Sequence, residues 1–257
     1  MMNKLAFLVV GSVLIVSAVN AQLNLVGNQV ETLIDDRNKP AKLIELVTRA
    51  LPETDLNITS TTQAWSGSGL VSGRFNGYID HYTLNNERSR YLYSDIYAEI
   101  DLHMVSRTPA AENIVRFDQL RDERVGIEKR FANTDQLRSE RSVKWARRDS
   151  FVENIQQLEE RRVDFILADK MMIEEFNKLL SSIDKPPLSI SEQPILTVGV
   201  KMALNPSIEN ARDILASFNA GIAALREEAA YKDIMMPAED APSALDESLY
   251  AEVLRKW

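Results

Sequence analysis

The most regular apolar pattern in the chain lies late. Ile208, Ala211, Leu215, Phe218, Ile222 and Leu225 recur in steps of three and four, which puts one apolar stripe on a helix beginning at Ser207. Leu43, Leu46, Val47, Ala50 and Leu51 make a similar face within residues 36–51, which Asp35 or Asp36 starts and Pro52 stops. Ser150-Phe-Val-Glu153 has the capping-box spacing: the serine accepts from the Glu153 amide and the glutamate reaches back. The helix it opens carries Phe151, Val152, Ile155 and Leu158 on one face. Short apolar or alternating runs of strand length fall at residues 22–27, 56–61, 78–80, 100–106, 124–127, 163–168 and 195–200. Gly73 stands at the corner before the third of them. Residues 117–123 and 170–180 read as further helices, and residues 241–257 as an acidic amphipathic tail with Leu245, Leu249, Val253 and Leu254 free to dock. The opening order is β-α-β, the seed of a parallel sheet, and strands alternate with helices throughout, so the fold class is α/β.

Composition narrows this picture. The chain has 257 residues, 45% hydrophobic and 26% charged, enough for one large domain or two lobes. It has no cysteine, which removes disulfides, thiol nucleophiles and cysteine metal sites. Residues 1–4 are a short basic start, and residues 5–16 an apolar run of twelve, too short to span a bilayer. Ser17-Ala-Val-Asn-Ala21 then offers small residues at the −3 and −1 positions of a cut after Ala21. Residues 1–21 therefore read as a cleaved signal peptide, with a retained anchor as the alternative, and the protein is expected in a periplasm-like space. Losing Lys4 takes the net charge from −8 to −9, which disfavours nucleic acid and other polyanions. The charged run at residues 121–148 mixes both signs and reads as a solvated face. His81 and His103 sit on or beside separate strands with no carboxylate at ligand spacing, so no metal site is expected.

Three segments, in order, carry a resemblance. They are Trp65…Leu70-Val-Ser-Gly73-Arg-Phe-Asn-Gly-Tyr-Ile79, then Glu87-Arg88…Tyr93-Ser94-Asp-Ile-Tyr97, then Leu158-Glu-Glu-Arg-Arg-Val163-Asp164-Phe-Ile-Leu-Ala-Asp169. Together they resemble the type 2 periplasmic binding proteins, specifically the extracellular solute-binding protein family 3 that serves polar amino-acid uptake. The likeness runs over nearly the whole chain after residue 21. It implies two α/β lobes, each a mostly parallel sheet flanked by helices, joined by two crossing strands near residues 100–106 and 194–201. Lobe 1 would take residues 22–103 and return with 197–257, which include the helical tail; lobe 2 would take 104–196. The resemblance further implies a monomeric binding protein without cofactor or enzymatic activity. It would capture a small polar, carboxylate-bearing ligand in the cleft between lobes and deliver it to a membrane transporter or sensor. The alternatives are an interaction module whose cleft has degenerated, and a dehydratase on the same fold with Glu128 as its acid.

Four residues carry the implied ligand contacts. Arg88 matches the family arginine whose planar fork meets the ligand carboxylate. Asp169 matches the aspartate that takes the ammonium, and it would equally suit the N-cap of the following helix. Thr83 matches a hydroxyl donor, and Trp65 a wall of the cleft or a core residue of lobe 1. Tyr93, Ser94 and Tyr97 read as structural. The chain also departs from the family. Residues 26–37 lack the aromatic that covers the ligand, Asn76 replaces an aspartate, and Glu128-Lys-Arg-Phe-Ala-Asn133 stands where the family presents Gly-Thr or Gly-Ser. Lys129 or Arg130 would there meet a second anionic group.

Overall fold

The computed structural model describes residues 22–35, 41–236 and 241–257. The expected signal peptide, residues 1–21, and the start of the expected helix, residues 36–40, lie outside the described residues. The chain runs β1 (Leu23–Asn28), α1 (Lys42–Ala50), β2 (Leu56–Thr61), α2 (Gln63–Val71), β3 (Gly77–Tyr82), β4 (Leu92–Tyr93) and β5 (Ala98–Ser106). It continues through β6 (Arg124–Glu128), α3 (Lys129–Ala132), α4 (Asp135–Ser139), β7 (Lys144–Arg148), α5 (Phe151–Glu159), β8 (Phe165–Asp169), α6 (Lys170–Ser182) and β9 (Ser189–Ile190). It ends with β10 (Leu196–Leu204), α7 (Ala211–Glu227), α8 (Ala230–Met235) and α9 (Glu247–Lys256).

The strands join in the order β2-β1-β3-β10-β5-β8-β6-β7, with β4 added on β10 and β9 on β5. The outer trios, β2-β1-β3 and β8-β6-β7, are parallel. Between them β10 and β5 run antiparallel to their neighbours. These two are the longest strands, nine residues each, or roughly 30 Å at the usual rise. That reach lets each serve both sides: β5 pairs with β10 over Ala98–Leu102 and with β8 over Leu102–Val105. Leu102 is thus registered against Leu196 and Asp169 at once. The burial of β5 follows. Glu99 and Asp101 face solvent in its first half, while Leu102–Ser106 is buried without a break, as expected where helices cover both faces of a sheet.

The helices pack as their stripes direct. Leu43, Leu46 and Val47 of α1 and Leu215, Phe218 and Ile222 of α7 fill one hydrophobic cluster with β1, β3, β5 and β10. Gly221 lets the two helices approach, because a Cβ there would overlap the Ala50 carbonyl. A second cluster joins α5 and α6 to α9 through Phe151, Ile155, Phe176, Leu245, Val253 and Leu254, and buries Tyr250 completely. Lys42, buried in the first turn of α1, donates Nζ to the Met235 carbonyl at 2.6 Å; a cation on the open carbonyls of a helix C-terminus is favourable.

Several expected bounds shift for local reasons. The stripe helix begins at Ala211, not Ser207. The Ser207 amide and hydroxyl both bond Asn205 Oδ1, at 3.0 and 2.8 Å, and Asn210 is left-handed with φ 58°, so Ile208 stays outside. Within the described residues the first helix begins at Lys42. At α5 the Ser150 hydroxyl accepts from Glu153 as expected, but Glu153 Oε2 accepts from the Asp149 amide at 2.9 Å rather than from Ser150. In α9, Leu249 is 44% exposed and Tyr250 takes the buried place. Gly73 does turn the chain before β3, with φ 74°, a conformation that glycine adopts without strain.

Candidate functional site

A cavity of about 660 Å³ lies between the two parallel trios, within the range of small-molecule sites. One wall comes from the end of β1 and the loop after it (Asn28–Glu31), one face of α2 (Gln63, Ser66, Gly67, Leu70), the end of β3, and the segment around Arg88 and Tyr91. The facing wall comes from Glu128–Arg130 after β6, Asp149–Val152 before and in α5, Met172 of α6 and Leu249 of α9. The site therefore sits at the carboxyl ends of strands from both trios, where open α/β sheets gather their ligands.

Several of its buried members form two polar groups. Arg130 makes a side-on fork to Glu128, with Nε to Oε2 at 3.1 Å and Nη2 to Oε1 at 3.0 Å, and Nη1 donates to the Tyr82 hydroxyl at 3.3 Å. The guanidinium lies 4.0 Å from the Phe131 ring centre. Burial works against the Arg130 charge, but Glu128 and Tyr82 more than offset it, so its pKa rises further. Burial pushes the Tyr82 hydroxyl up to about 12. Asp80 makes the second group. Its Oδ2 accepts from the Asn28 amide at 3.1 Å and from Asn28 Nδ2 at 2.7 Å, while Asn28 Oδ1 accepts from the Ser66 hydroxyl at 2.9 Å. Burial raises the Asp80 pKa to about 6 despite those donors and Arg130. His81, Tyr78, Tyr91 and Tyr93 cluster beside it: Tyr78 meets Tyr91 edge-on at 5.2 Å, and His81 lies 4.6 Å from Tyr93. Burial lowers the His81 pKa, so the ring is neutral near pH 7.

Of the four residues singled out by the sequence, Arg88 lines this cavity. It is exposed, its amide donates to the Tyr93 hydroxyl at 2.9 Å, and its guanidinium makes no hydrogen bond or ion pair among the described residues. The other three are not among the lining residues. Thr83 exchanges hydrogen bonds with Gly199, its hydroxyl accepting at 2.9 Å, and so fastens the end of β3 to β10. Trp65 is 64% exposed, on the side of α2 away from Gln63, Ser66 and Leu70, so it is neither wall nor core. Asp169 is buried and caps α6, its Oδ1 accepting from the Met171 amide at 3.0 Å. Its Oδ2 has no hydrogen-bond partner among the described residues. Burial raises its pKa to about 6 against the pull of Arg130. Asp80, Tyr78 and Tyr82 also line the cavity, though no motif points to them as binding groups. The signal was present, because Asp80-His81 places two polar residues inside an otherwise apolar strand, at its carboxyl end.

Further contacts cross between the walls. The Gln136 amide donates to the Leu84 carbonyl at 3.0 Å and the Asn86 amide to Asp135 Oδ2 at 3.0 Å. Glu31, in the loop after β1, accepts from the Asp246 amide at 3.0 Å and the Tyr250 hydroxyl at 2.8 Å. Burial raises the Glu31 pKa. Among the described residues no helix is long and apolar enough to cross a membrane.

No protein-family model matches the chain, and no curated protein matches it. Solved structures do. The amino acid ABC transporter substrate-binding protein AbpA of Streptococcus pneumoniae, bound to L-arginine, is similar with a TM-score of 0.63 at 13% identity, over 88% of this chain and 96% of that one. The GluR0 ligand-binding core with L-glutamate gives a TM-score of 0.68 at 9% identity, over 83% and 96%. A histidine kinase sensor domain with similarity to periplasmic binding proteins gives 0.61 at 15%, over 82% and 93%. With β5 and β10 crossing between two parallel trios, the chain has the two-lobed α/β fold of the type 2 periplasmic binding proteins.

Proposed function

We propose that this protein is a periplasmic solute-binding protein of the polar amino-acid type. It captures a small polar ligand in the cavity between its lobes and presents the closed form to a membrane transporter or sensor. The observation that carries this reading is the cavity itself: about 660 Å³, polar and aromatic in its lining, and built from both of the parallel trios that the two long strands join. Lobe 1 takes residues 22–103 and 197–257, and lobe 2 residues 104–196. Rotation of one against the other is absorbed in β5 and β10, the hinge of this kind of fold. Arg88 meets the ligand's carboxylate from the rim. Residues 1–21 direct export and are cleaved after Ala21, and the mature chain acts as a monomer in the periplasm. The fold likeness to a transporter binding protein and to a sensor domain supports both kinds of partner.

A dehydratase reading finds less support, because both oxygens of Glu128 accept from Arg130, the arrangement of a held carboxylate and not of a proton donor.

A thermal-shift screen of the chain from Gln22 onward, against amino acids, small acids and amines, tests the proposal. A ligand at 100 times its Kd adds about 2.7 kcal/mol of stability. No stabilising compound across these classes would overturn the binding role and favour an interaction module.

A further inference from the structure

Four polar side chains of the cavity lining are buried or nearly so: Asp80, Tyr82, Glu128 and Arg130. Arg130 is the group best suited to a ligand carboxylate, since a buried guanidinium fork gives two charge-assisted bonds. Yet its side-on edge is taken by both oxygens of Glu128, its Nη1 by the Tyr82 hydroxyl, and one face by the Phe131 ring. Glu128 neutralises it as well as occupying it. A ligand carboxylate reaching Arg130 would have to displace Glu128 and leave that carboxylate buried without its partner, a cost on the order of 100-fold or more in affinity.

Asp80 is in the opposite position. Its Oδ2 has two amide donors from Asn28 but, among the described residues, no ion-pair partner, because the nearby Arg130 is already committed to Glu128. Tyr78 lines the same cavity, and aromatic rings attract cations at their faces; Tyr91 beside it already carries the Arg90 guanidinium, 5.1 Å from its ring centre. His81, neutral through burial, adds no opposing charge.

We infer that Glu128 is a specificity-determining residue: by occupying Arg130 it closes the floor of the cavity to anionic groups and leaves Asp80 to receive a cationic one. The ligand then enters with an ammonium or guanidinium group foremost, and any carboxylate it carries stays at the rim with Arg88. This rests on the solute-binding reading above and adds the polarity of the ligand to it.

Calorimetric titration with a homologous series of α,ω-diamines and the matching dicarboxylates tests the inference on the mature chain, on E128Q and on D80N. Thermal melts and circular dichroism establish that each variant is folded. The wild type should bind its best diamine at least about tenfold more tightly than the best dicarboxylate. E128Q should reverse that ranking, with dicarboxylate affinity rising by on the order of 100-fold. D80N should lose diamine affinity without gaining dicarboxylate affinity, and it carries the test alone should E128Q not fold. A wild type that prefers dicarboxylates, an E128Q ranking unchanged, or diamine affinity indifferent to D80N each overturns the inference. A wild type that binds neither series also overturns it; in that case a hit in the broader thermal-shift screen leaves the solute-binding reading standing, and a blank screen removes both.

Discussion

Tyr250, fully buried on the last helix, donates its hydroxyl to Glu31 Oε2 at 2.8 Å. The helix is packed on α5 and α6 through Phe151 and Phe176, whereas Glu31 belongs to the loop after β1. One hydrogen bond thus ties the second hydrophobic cluster to the wall formed by the first parallel trio. Tyr250→Phe keeps the ring and removes the bond, and hydrogen bonds to charged groups contribute about 1.5–3 kcal/mol. Urea denaturation should show a loss of about that size. Tyr250→Ala should cost more, about 3–5 kcal/mol, because the aromatic packing goes too. A Tyr250→Phe midpoint equal to wild type would show that the tie contributes nothing.

Removing either partner of the Glu128–Arg130 pair should be expensive. Arg130→Met leaves Glu128 buried without its cation, which costs about 3–5 kcal/mol. Changing both residues to Met removes the uncompensated charge and should recover most of that loss. A double-mutant cycle by denaturation measures the coupling; additive single losses would mean that the pair is not coupled as the geometry requires.

The pH dependence has a definite sign. The Asp80 carboxyl is pushed up to about 6, above the ordinary value near 3.9. A raised carboxyl binds its proton more tightly in the folded state, so this contribution is fully present below about pH 4. It is lost as pH rises through about 6. Asp80→Asn should therefore compare better with wild type at neutral pH than under acid, by on the order of 1–3 kcal/mol. Denaturation curves for both proteins at several pH values test this. Parallel stability–pH profiles would contradict it.

Arg88 is exposed and unpaired among the described residues, so Arg88→Ala should change stability by less than about 0.5 kcal/mol. Its effect belongs to the ligand. Where closure desolvates the arginine against a carboxylate, the loss should reach about 2 kcal/mol or more. Calorimetry with any carboxylate-bearing hit from the screen measures it, and an affinity equal to wild type would remove Arg88 from the site.

The sequence announced some elements to the residue and concealed others, for physical reasons. β2 falls on residues 56–61 as its alternation requires, and Asp169 caps the helix after β8, one of the two roles its position offered, although β8 spans Phe165–Asp169 and not residues 163–168. α2 carries no apolar stripe: only Ser66 and Gly69 are buried in it, so periodicity could not mark its extent. β7, Lys144–Arg148, sits at the sheet edge, where charge is the usual defence against unwanted strand pairing, and its basic residues made it look like solvated surface. The site divides in the same way. A local motif pointed to Arg88, but Tyr82 and Arg130 meet across 48 residues of sequence, and no spacing rule brings such a pair together. The short run Glu128-Lys-Arg130, singled out as a departure from the family pattern, is where the buried fork lies.

Leu102 faces β10 on one side and β8 on the other, and Leu102, Met104 and Val105 distribute one strand between the two hydrophobic clusters. Neither half can melt without stripping the other of its central strand. The molecule should therefore unfold as a single thermodynamic unit despite its two cores. A calorimetric scan should give one endotherm whose van't Hoff and calorimetric enthalpies agree, and two resolved peaks would mean that β5 couples the halves more weakly than its pairing indicates.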